Sequence, residues 1–477
     1  MKSIVSPLSR PARWALLGSL VLKLALIGAV YPRNHGAVLL FDSGAYLRSA
    51  QALLTLHRFS ISPARPSEPE IVRTPGYPAL IAMVYAIGGE RLWLLAIVNA
   101  LLATGTGVLV YRLTALIAGA AAGTAAVVLY CLEPSTFHYG TVVMSEIPFT
   151  FCLVLALWLL HRVLLDRRLL PAAGAGALLG IATLVRPILS YAIFPVAATL
   201  VVLLLRARAD FRKALGLVLI CAVGVLAVLG PWKLRNWRLT GDGSVSQIKN
   251  VSLYFFDAAA VVASLEHESV RAVEERFGLH EFAYRFGFVA TEAEALGGGP
   301  SGESFPGSSR APLIELAHWY RDRALSILSR HPGRELLVRA RGLWLLLTVP
   351  NTISWADQYR LIHASGEFTR IWVYPRPLRA MAYLARTDRW LIFVSILFFL
   401  PVAAIYLLAG KGLRTPGVPA ADFRILLLVV LGYLLIVSTE PGYADDRLRV
   451  PLVPILCVFA GIGFVSRANA RKNRENS

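Results

Sequence analysis

Long apolar runs separated by short polar stretches set the pattern of the chain. They lie near residues 14–31, 92–111, 118–132, 147–165, 170–185, 188–205, 214–230, 390–409, 423–438 and 450–466. A helix rising about 1.5 Å per residue needs roughly 20 apolar residues to cross a hydrocarbon core, and a soluble chain would break such runs with polar faces. The pattern predicts ten membrane spans. The run from Trp14 to Tyr31 is too long for the apolar part of a signal peptide and lacks a small-residue cleavage site, so it reads as the first span.

Two apolar segments fail the length test. Pro78 to Ile87 is about half as long as a span requires, and Leu336 to Val349 is interrupted by Arg339 and Arg341. Both read as interfacial helices. The polar stretches then divide the chain into a transmembrane module at 1–230 with a first outer loop at 32–77, an extracytoplasmic region at 231–389, and a C-terminal transmembrane part with a basic tail at 390–477. Within the middle region, 297–310 (GGGPSGESFPGSSR) reads as a flexible link. Beyond it, Leu313, Leu316, Tyr320, Ala324, Ile327 and Leu328 recur at three- and four-residue spacing, which predicts an amphipathic helix ending near His331 and Pro332. The expected fold is an all-α polytopic helix bundle of about ten spans, with interfacial helices and a small, mostly helical cap.

Composition supports this, since 56% of residues are hydrophobic and only 16% charged. The net charge of +19 raises the question of nucleic acid. Its distribution argues against it: Lys2, Arg10, Arg13, Arg167, Arg168, Arg206 to Lys213, Lys411, Arg414 and Arg467 to Arg474 sit at the ends of apolar runs. That is the positive-inside pattern of a membrane protein with both termini cytoplasmic. Counting 78–87 as an eleventh span would move the Arg167 and Arg206 clusters outside, so charge parity also favours ten. The four cysteines, Cys131, Cys152, Cys221 and Cys457, lie in apolar runs without a CxxC pair, which reads as packing rather than zinc or disulfides. The pairs Gly119 with Gly123 and Gly176 with Gly180 read as close helix packing. No Walker A sequence is present, and the GKGLRT stretch at Lys411 does not fit one.

The polar residues that remain gather on the non-cytoplasmic side. Asp42 and Tyr46 follow the first span, Arg73 and Tyr77 precede the interfacial segment, and His138 and Glu146 lie between the third and fourth spans. Arg186 sits at a tight turn, Arg235 lies in PWKLRNW, and Glu440, Tyr443, Asp445, Asp446, Arg447 and Arg449 crowd the last loop. Charges at the hydrocarbon edge are unfavourable unless paired or hydrated, so loops of both signs converging there point to a polar cavity with a ligand. Structural roles compete: Asp42 could cap a helix starting near Ser43, Glu146 could cap the helix that follows it, and Arg186 could snorkel.

The segments FDSGAYLRSAQALL, RTPGYPALI, MSEIPF, LVRP, PWKLRNW, SRHPGRELLVRARG and RLRVPLVPIL, in this order and on one predicted face, resemble the polytopic GT-C glycosyltransferases. The resemblance lies in the branch that holds the protein O-mannosyltransferases and the lipid A aminoarabinose transferases. The resemblance implies transfer of a monosaccharide from a polyprenyl-phosphate carrier, undecaprenyl in a bacterial inner membrane, to an acceptor outside the cytoplasm, with inversion. It implies Asp42 as the catalytic acid-base residue with Glu146 as the second acid, and Arg73, Arg186, Arg235, Arg447 and Arg449 as the cations for the donor phosphate. Tyr46, Tyr77, His138 and Tyr443 are the candidates for sugar and acceptor contacts. Asp42 is followed by Ser43 rather than a second acid, so a divalent metal, if any, would fall to Asp42 and Glu146. The acceptor stays open between glycan, lipid and protein. A transporter or flippase of lipid-linked sugars and a glycan polymerase or ligase are the competing readings.

Overall fold

The computed structural model describes residues 7–288, 312–349, 352–359, 361, 386, 388–416, 421–439, 441 and 446–475. Ten helices stand where the ten spans are expected: α1 (Arg10–Val30), α4 (Leu92–Ala118), α5 (Ala120–Leu132), α7 (Glu146–Asp166), α8 (Leu169–Val185), α9 (Ile193–Arg206), α10 (Phe211–Thr240), Trp390–Arg414, Ala421–Val437 and Val453–Glu475. Between them lie α2 (Ser43–Leu56), α3 (Gly76–Gly88) and α6 (Pro134–Tyr139). Trp14, Phe393 and Leu407, each at least 70% exposed, sit on helices of the bundle, as expected where the solvent is lipid.

α2 and α3 pack against each other at one end of the bundle, and the chain returns to that same end. Gln51 of α2 donates to Glu90, just before α4, at 2.9 Å. Asn99, two turns into α4, donates to the carbonyls of Val142 and Met144 in the loop before α7, at 2.6 and 3.1 Å. α3 and the turn into α4 are thus tied to the same end of the bundle.

The long helices are brought together by small residues where backbones meet. A Cβ on Gly176 would lie 1.9 Å from the Cys221 carbonyl oxygen, and one on Gly224 would lie 2.5 Å from that of Ala173, so α8 and α10 touch along their backbones. Gly412 and Gly463 join Trp390–Arg414 to the last helix in the same way. Gly123 packs against the Tyr111 carbonyl, but Gly119 serves a different purpose. Its φ of 86° turns the chain between α4 and α5, and nothing stands within 4 Å of its missing side chain.

α10 departs from expectation by running ten residues past the predicted end at residue 230. Pro231 lies inside it. The continuation is fastened from outside: Trp232 Nε1 donates to the Val245 carbonyl at 2.8 Å and Asn236 donates to that of Ser244 at 2.8 Å. Proline removes one backbone hydrogen bond, and these anchors offset that loss.

At the α2–α3 end sits the helical cap. Its own core joins Ile61, Ile71 and Val72 of the first outer loop to Tyr254, Phe255, Phe277, Phe282 and Tyr320. Ile248–Glu266 is long and apolar enough to span, yet Tyr254 and Phe255 at its centre are fully buried in this core. The predicted amphipathic helix is Leu313–Arg330, followed by Pro332–Thr348 in place of the predicted interfacial run. The first outer loop also holds a short antiparallel hairpin, β1 (Ser60–Ser62) and β2 (Arg65–Pro69), which hydropathy does not reveal. The link expected at 297–310 lies outside the described residues.

Candidate active site

Asp42 stands at the N-cap position of α2 but makes no capping hydrogen bond. The neighbouring Ser43 does the local structural work: it accepts from the Leu40 N–H at 2.8 Å and donates to the Val143 carbonyl at 2.7 Å, tying the first outer loop to the loop before α7. The carboxylate of Asp42 is left to face the last loop. Its Oδ2 accepts from Arg447 Nη2 at 2.6 Å. Arg447 also donates through Nε to Glu146 Oε1, and Arg186 Nη1 donates to that same oxygen.

The result is a continuous ionic chain, Asp42–Arg447–Glu146–Arg186, drawn from the first outer loop, the last loop, the first turn of α7 and the end of α8. Glu146 is completely buried, and its Oε2 has no hydrogen-bond partner. Gly76 brings in the RTPG turn: a Cβ there would lie 2.6 Å from the backbone of Leu184, so the start of α3 presses on the last turn of α8, next to Arg186. Arg73, on the same turn, places Nη2 3.8 Å from Asp42 Oδ1, beyond hydrogen-bond reach, and that nitrogen is buried without a partner. The Tyr46 hydroxyl lies 3.2 Å from that of Ser145, and its ring meets Tyr77 edge to face at 5.0 Å.

Charge dictates protonation here. Burial alone would raise the Asp42 carboxyl, but the guanidinium charges of Arg447 and then Arg73 outweigh it and hold the group below its ordinary value. Tyr46 moves the other way, raised first by burial and then by the Asp42 charge. Arg447 is held firmly charged despite its burial by Glu146 and Asp42.

Other residues picked out from the sequence are not in this chain. Arg235 donates to the carbonyls of Glu70 and Phe59, both at 2.9 Å, and its guanidinium covers the Trp232 ring at 4.6 Å. Arg449 is 1% exposed and donates to the carbonyls of Leu346 and Val349 and to Ser135 Oγ, with Glu133 at 3.6 Å. Both guanidinium groups spend most of their donors on backbone oxygens rather than on the acids of the chain. His138 packs against Tyr139 and Trp355, and burial pushes its imidazole down to about 3. Tyr443 lies outside the described residues, as do Glu440 and Asp445.

For a metal, the donor set fits poorly. Arg447 already lies between Asp42 and Glu146, where a bridging dication would sit, and among the described residues no three His, Cys, Asp or Glu side chains converge as ligands.

One acid escaped the sequence reading. Glu70, three residues before Arg73, is 1% exposed, and its Oε1 accepts the backbone N–H groups of Val72 and Arg73 at 2.8 and 2.9 Å. An acid followed closely by Arg-Thr-Pro-Gly is the available signal, since carboxylates commonly cap such turns.

Residues 72–233 match the family model described as dolichyl-phosphate-mannose-protein mannosyltransferase. The expected family likeness is thus met over this stretch, which holds Arg73, Glu146 and Arg186. No curated protein matches the chain. Among solved structures, the chain is similar to the apo oligosaccharyltransferase of Archaeoglobus fulgidus, with a TM-score of 0.47 at 14% identity, covering 97% of this chain and 52% of that one. It is also similar to ArnT from Cupriavidus metallidurans bound to undecaprenyl phosphate, with a TM-score of 0.38 at 15% identity, covering 94% and 78%. The chain spans about half the length of the archaeal enzyme.

Proposed function

We propose that this chain is a membrane glycosyltransferase that moves a sugar from a polyprenyl-phosphate carrier to an acceptor hydroxyl, at the cap end of the bundle and outside the cytoplasm. The observation that carries the reading is the ionic chain Asp42–Arg447–Glu146–Arg186 with Arg73 beside it. Two acids and three cations converge at the bundle's edge, where the head of a membrane-anchored phosphate would lie. The family match over residues 72–233 supports the same donor class.

In this reading the acceptor oxygen attacks the anomeric carbon as the bond from that carbon to the phosphate oxygen breaks. The phosphate departs with the bonding electron pair, and the acceptor's proton passes to Asp42. Its pairing with Arg447 keeps Asp42 ionised at neutral pH and therefore able to take that proton. A carboxylate of lowered pKa is a weak base, so the transfer occurs late, once bond formation has made the hydroxyl acidic. Arg73, whose Nη2 has no hydrogen-bond partner, supplies a donor to the phosphate, and Arg186 adds charge behind it. Glu146 Oε2 is free to accept from a sugar or acceptor hydroxyl. The sugar is a monosaccharide, inverted on transfer, the carrier is undecaprenyl phosphate of a bacterial inner membrane, and the acceptor is a glycan, lipid or protein of the envelope.

The test is transfer by purified protein in lipid nanodiscs, supplied with labelled undecaprenyl-phosphate sugars and an envelope fraction as acceptor. Labelled product should appear together with free undecaprenyl monophosphate. Asp42→Asn should lower the rate by about 10²–10⁴-fold while leaving the protein inserted and folded. Full activity in that variant, or absence of product from every donor, would sink the reading.

A further inference from the structure

Arg73 is held between two carboxylates rather than by one. Its Nη1 lies 3.6 Å from Glu70 Oε2 and its Nη2 lies 3.8 Å from Asp42 Oδ1, and neither separation is a hydrogen bond. Nη1 donates instead to the Phe286 carbonyl at 3.1 Å, and the Phe288 ring covers the guanidinium at 4.0 Å. Only Nη2 is left buried and undonated.

Glu70 is itself firmly set. Its Oε1 is occupied by the two backbone N–H groups of the RTPG turn, and Ser49 Oγ donates to Oε2 at 3.4 Å. Its carbonyl is fastened by Arg235, which also holds that of Phe59 across the base of the β1–β2 hairpin. The fixed charge of Glu70 therefore pulls Arg73 away from Asp42.

We propose that Glu70 is a positioning residue: its carboxylate restrains Arg73 from closing onto Asp42, and so keeps Nη2 open for a phosphate oxygen. Without that opposing charge, Arg73 and Asp42 would pair and consume each other, removing the phosphate's donor. The claim rests on the glycosyltransferase reading for the identity of the ligand, but the geometry of Arg73 can be examined by itself.

Glu70→Gln separates charge from scaffolding, since the amide oxygen can still accept both N–H groups of the turn. In a structure of this variant without ligand, Arg73 Nη2 should move from 3.8 Å to hydrogen-bond distance of Asp42 Oδ1. An unmoved Arg73 would overturn the proposal whatever the enzyme binds. Binding of undecaprenyl phosphate, measured by native mass spectrometry in nanodiscs, should weaken about tenfold in Glu70→Gln and recover at least in part in Glu70→Gln/Asp42→Asn, where the competing carboxylate is neutral.

A role in building the turn alone predicts no recovery in the double variant, and that result would also overturn the proposal. Arg73→Gln should bind weakly whether or not Glu70 is changed. Failure of the wild-type protein to bind undecaprenyl phosphate would count against the functional reading, and the variant's structure would still decide the role of Glu70.

Discussion

Arg447 donates to Asp42 and to Glu146 at once, so it sets both the geometry and the protonation of the two acids. Its charge is the largest influence opposing the rise that burial would impose on Asp42. Replacing it by Met removes the largest part of that opposition and leaves only Arg73 and Arg186 against burial, so the Asp42 carboxyl should rise. With Asp42 in the proposed acid-base role, the acid limb of kcat/KM should then move to higher pH, and a pH–rate profile checks it. Removing Glu146 is a different matter. Glu146→Ala takes the carboxylate from partly buried Arg186 and leaves Arg447 with Asp42 alone, which should cost up to about 3–5 kcal/mol of stability, visible as loss of folded protein in detergent. His138 gives a third outcome, with its pKa down from 6.5 to about 3 because burial disfavours the charged ring. The unfolded chain binds the extra proton first, so this contribution is complete above pH 6.5 and is lost as pH falls from there towards 3. By pH 5 the loss is about 2 kcal/mol, and His138→Gln should flatten the pH dependence of Tm over that range. At this scale the sequence points to acids and arginines in the right loops but cannot rank them. Arg447 and Arg449 are two residues apart in one motif, yet one lies between carboxylates and the other donates to the carbonyls of Leu346 and Val349. That division depends on which backbone oxygens the fold delivers, and hydropathy carries no trace of it.

Elements aim these residues. Arg186 closes α8 ten residues after Gly176, and its approach to Glu146 depends on how closely α8 lies against α10 and how α3 presses on its end. Gly176→Ala would push a methyl group into the Cys221 carbonyl, where backbone has nowhere to yield, and should cost about 1–3 kcal/mol with a fall in activity as Arg186 is displaced. Gly216→Ala, on α10 but with nothing within 4 Å, should be neutral or stabilising by about 0.5–1 kcal/mol. Comparing thermal melts of the two separates close packing from helix propensity. The spans were legible because length and apolar character are properties of local sequence, and α3 stands out from them because its apolar run is too short. What escaped was set by contacts distant in sequence. α10 continues through Pro231 because Trp232 and Asn236 find partners at Val245 and Ser244, and the β1–β2 hairpin is fastened by Arg235 from α10. The apolar helix Ile248–Glu266 shows the converse, since hydrophobicity sufficient for a membrane is spent inside the cap.

Across the whole molecule the two ends of the bundle differ in kind. The ionic chain lies beneath the cap, joined by loops that all leave the helices at that end. At the other end the described helices finish or begin with Arg167, Arg206, Lys213, Lys411 and Arg414, which outnumber Asp166, Asp210 and Asp422 there. Anionic lipids and the insertion machinery hold such basic ends in the cytoplasm, at about 1 kcal/mol per Lys or Arg near the surface. In that orientation the acids and the unpartnered donor of Arg73 face acceptors that are exported rather than cytosolic. Glu68, on β2 of the cap, has a side chain 37% exposed, and Arg414 is exposed at the opposite end. The native cysteines all lie within bundle helices, so a cysteine introduced at either position can be told from them. Glu68→Cys should react with a membrane-impermeant maleimide in intact cells, or in spheroplasts where an outer membrane intervenes, and Arg414→Cys only after permeabilisation. The reverse result would turn the ionic chain towards the cytosol. It would leave the chemistry of Asp42 and Arg447 intact while removing every exported acceptor from consideration.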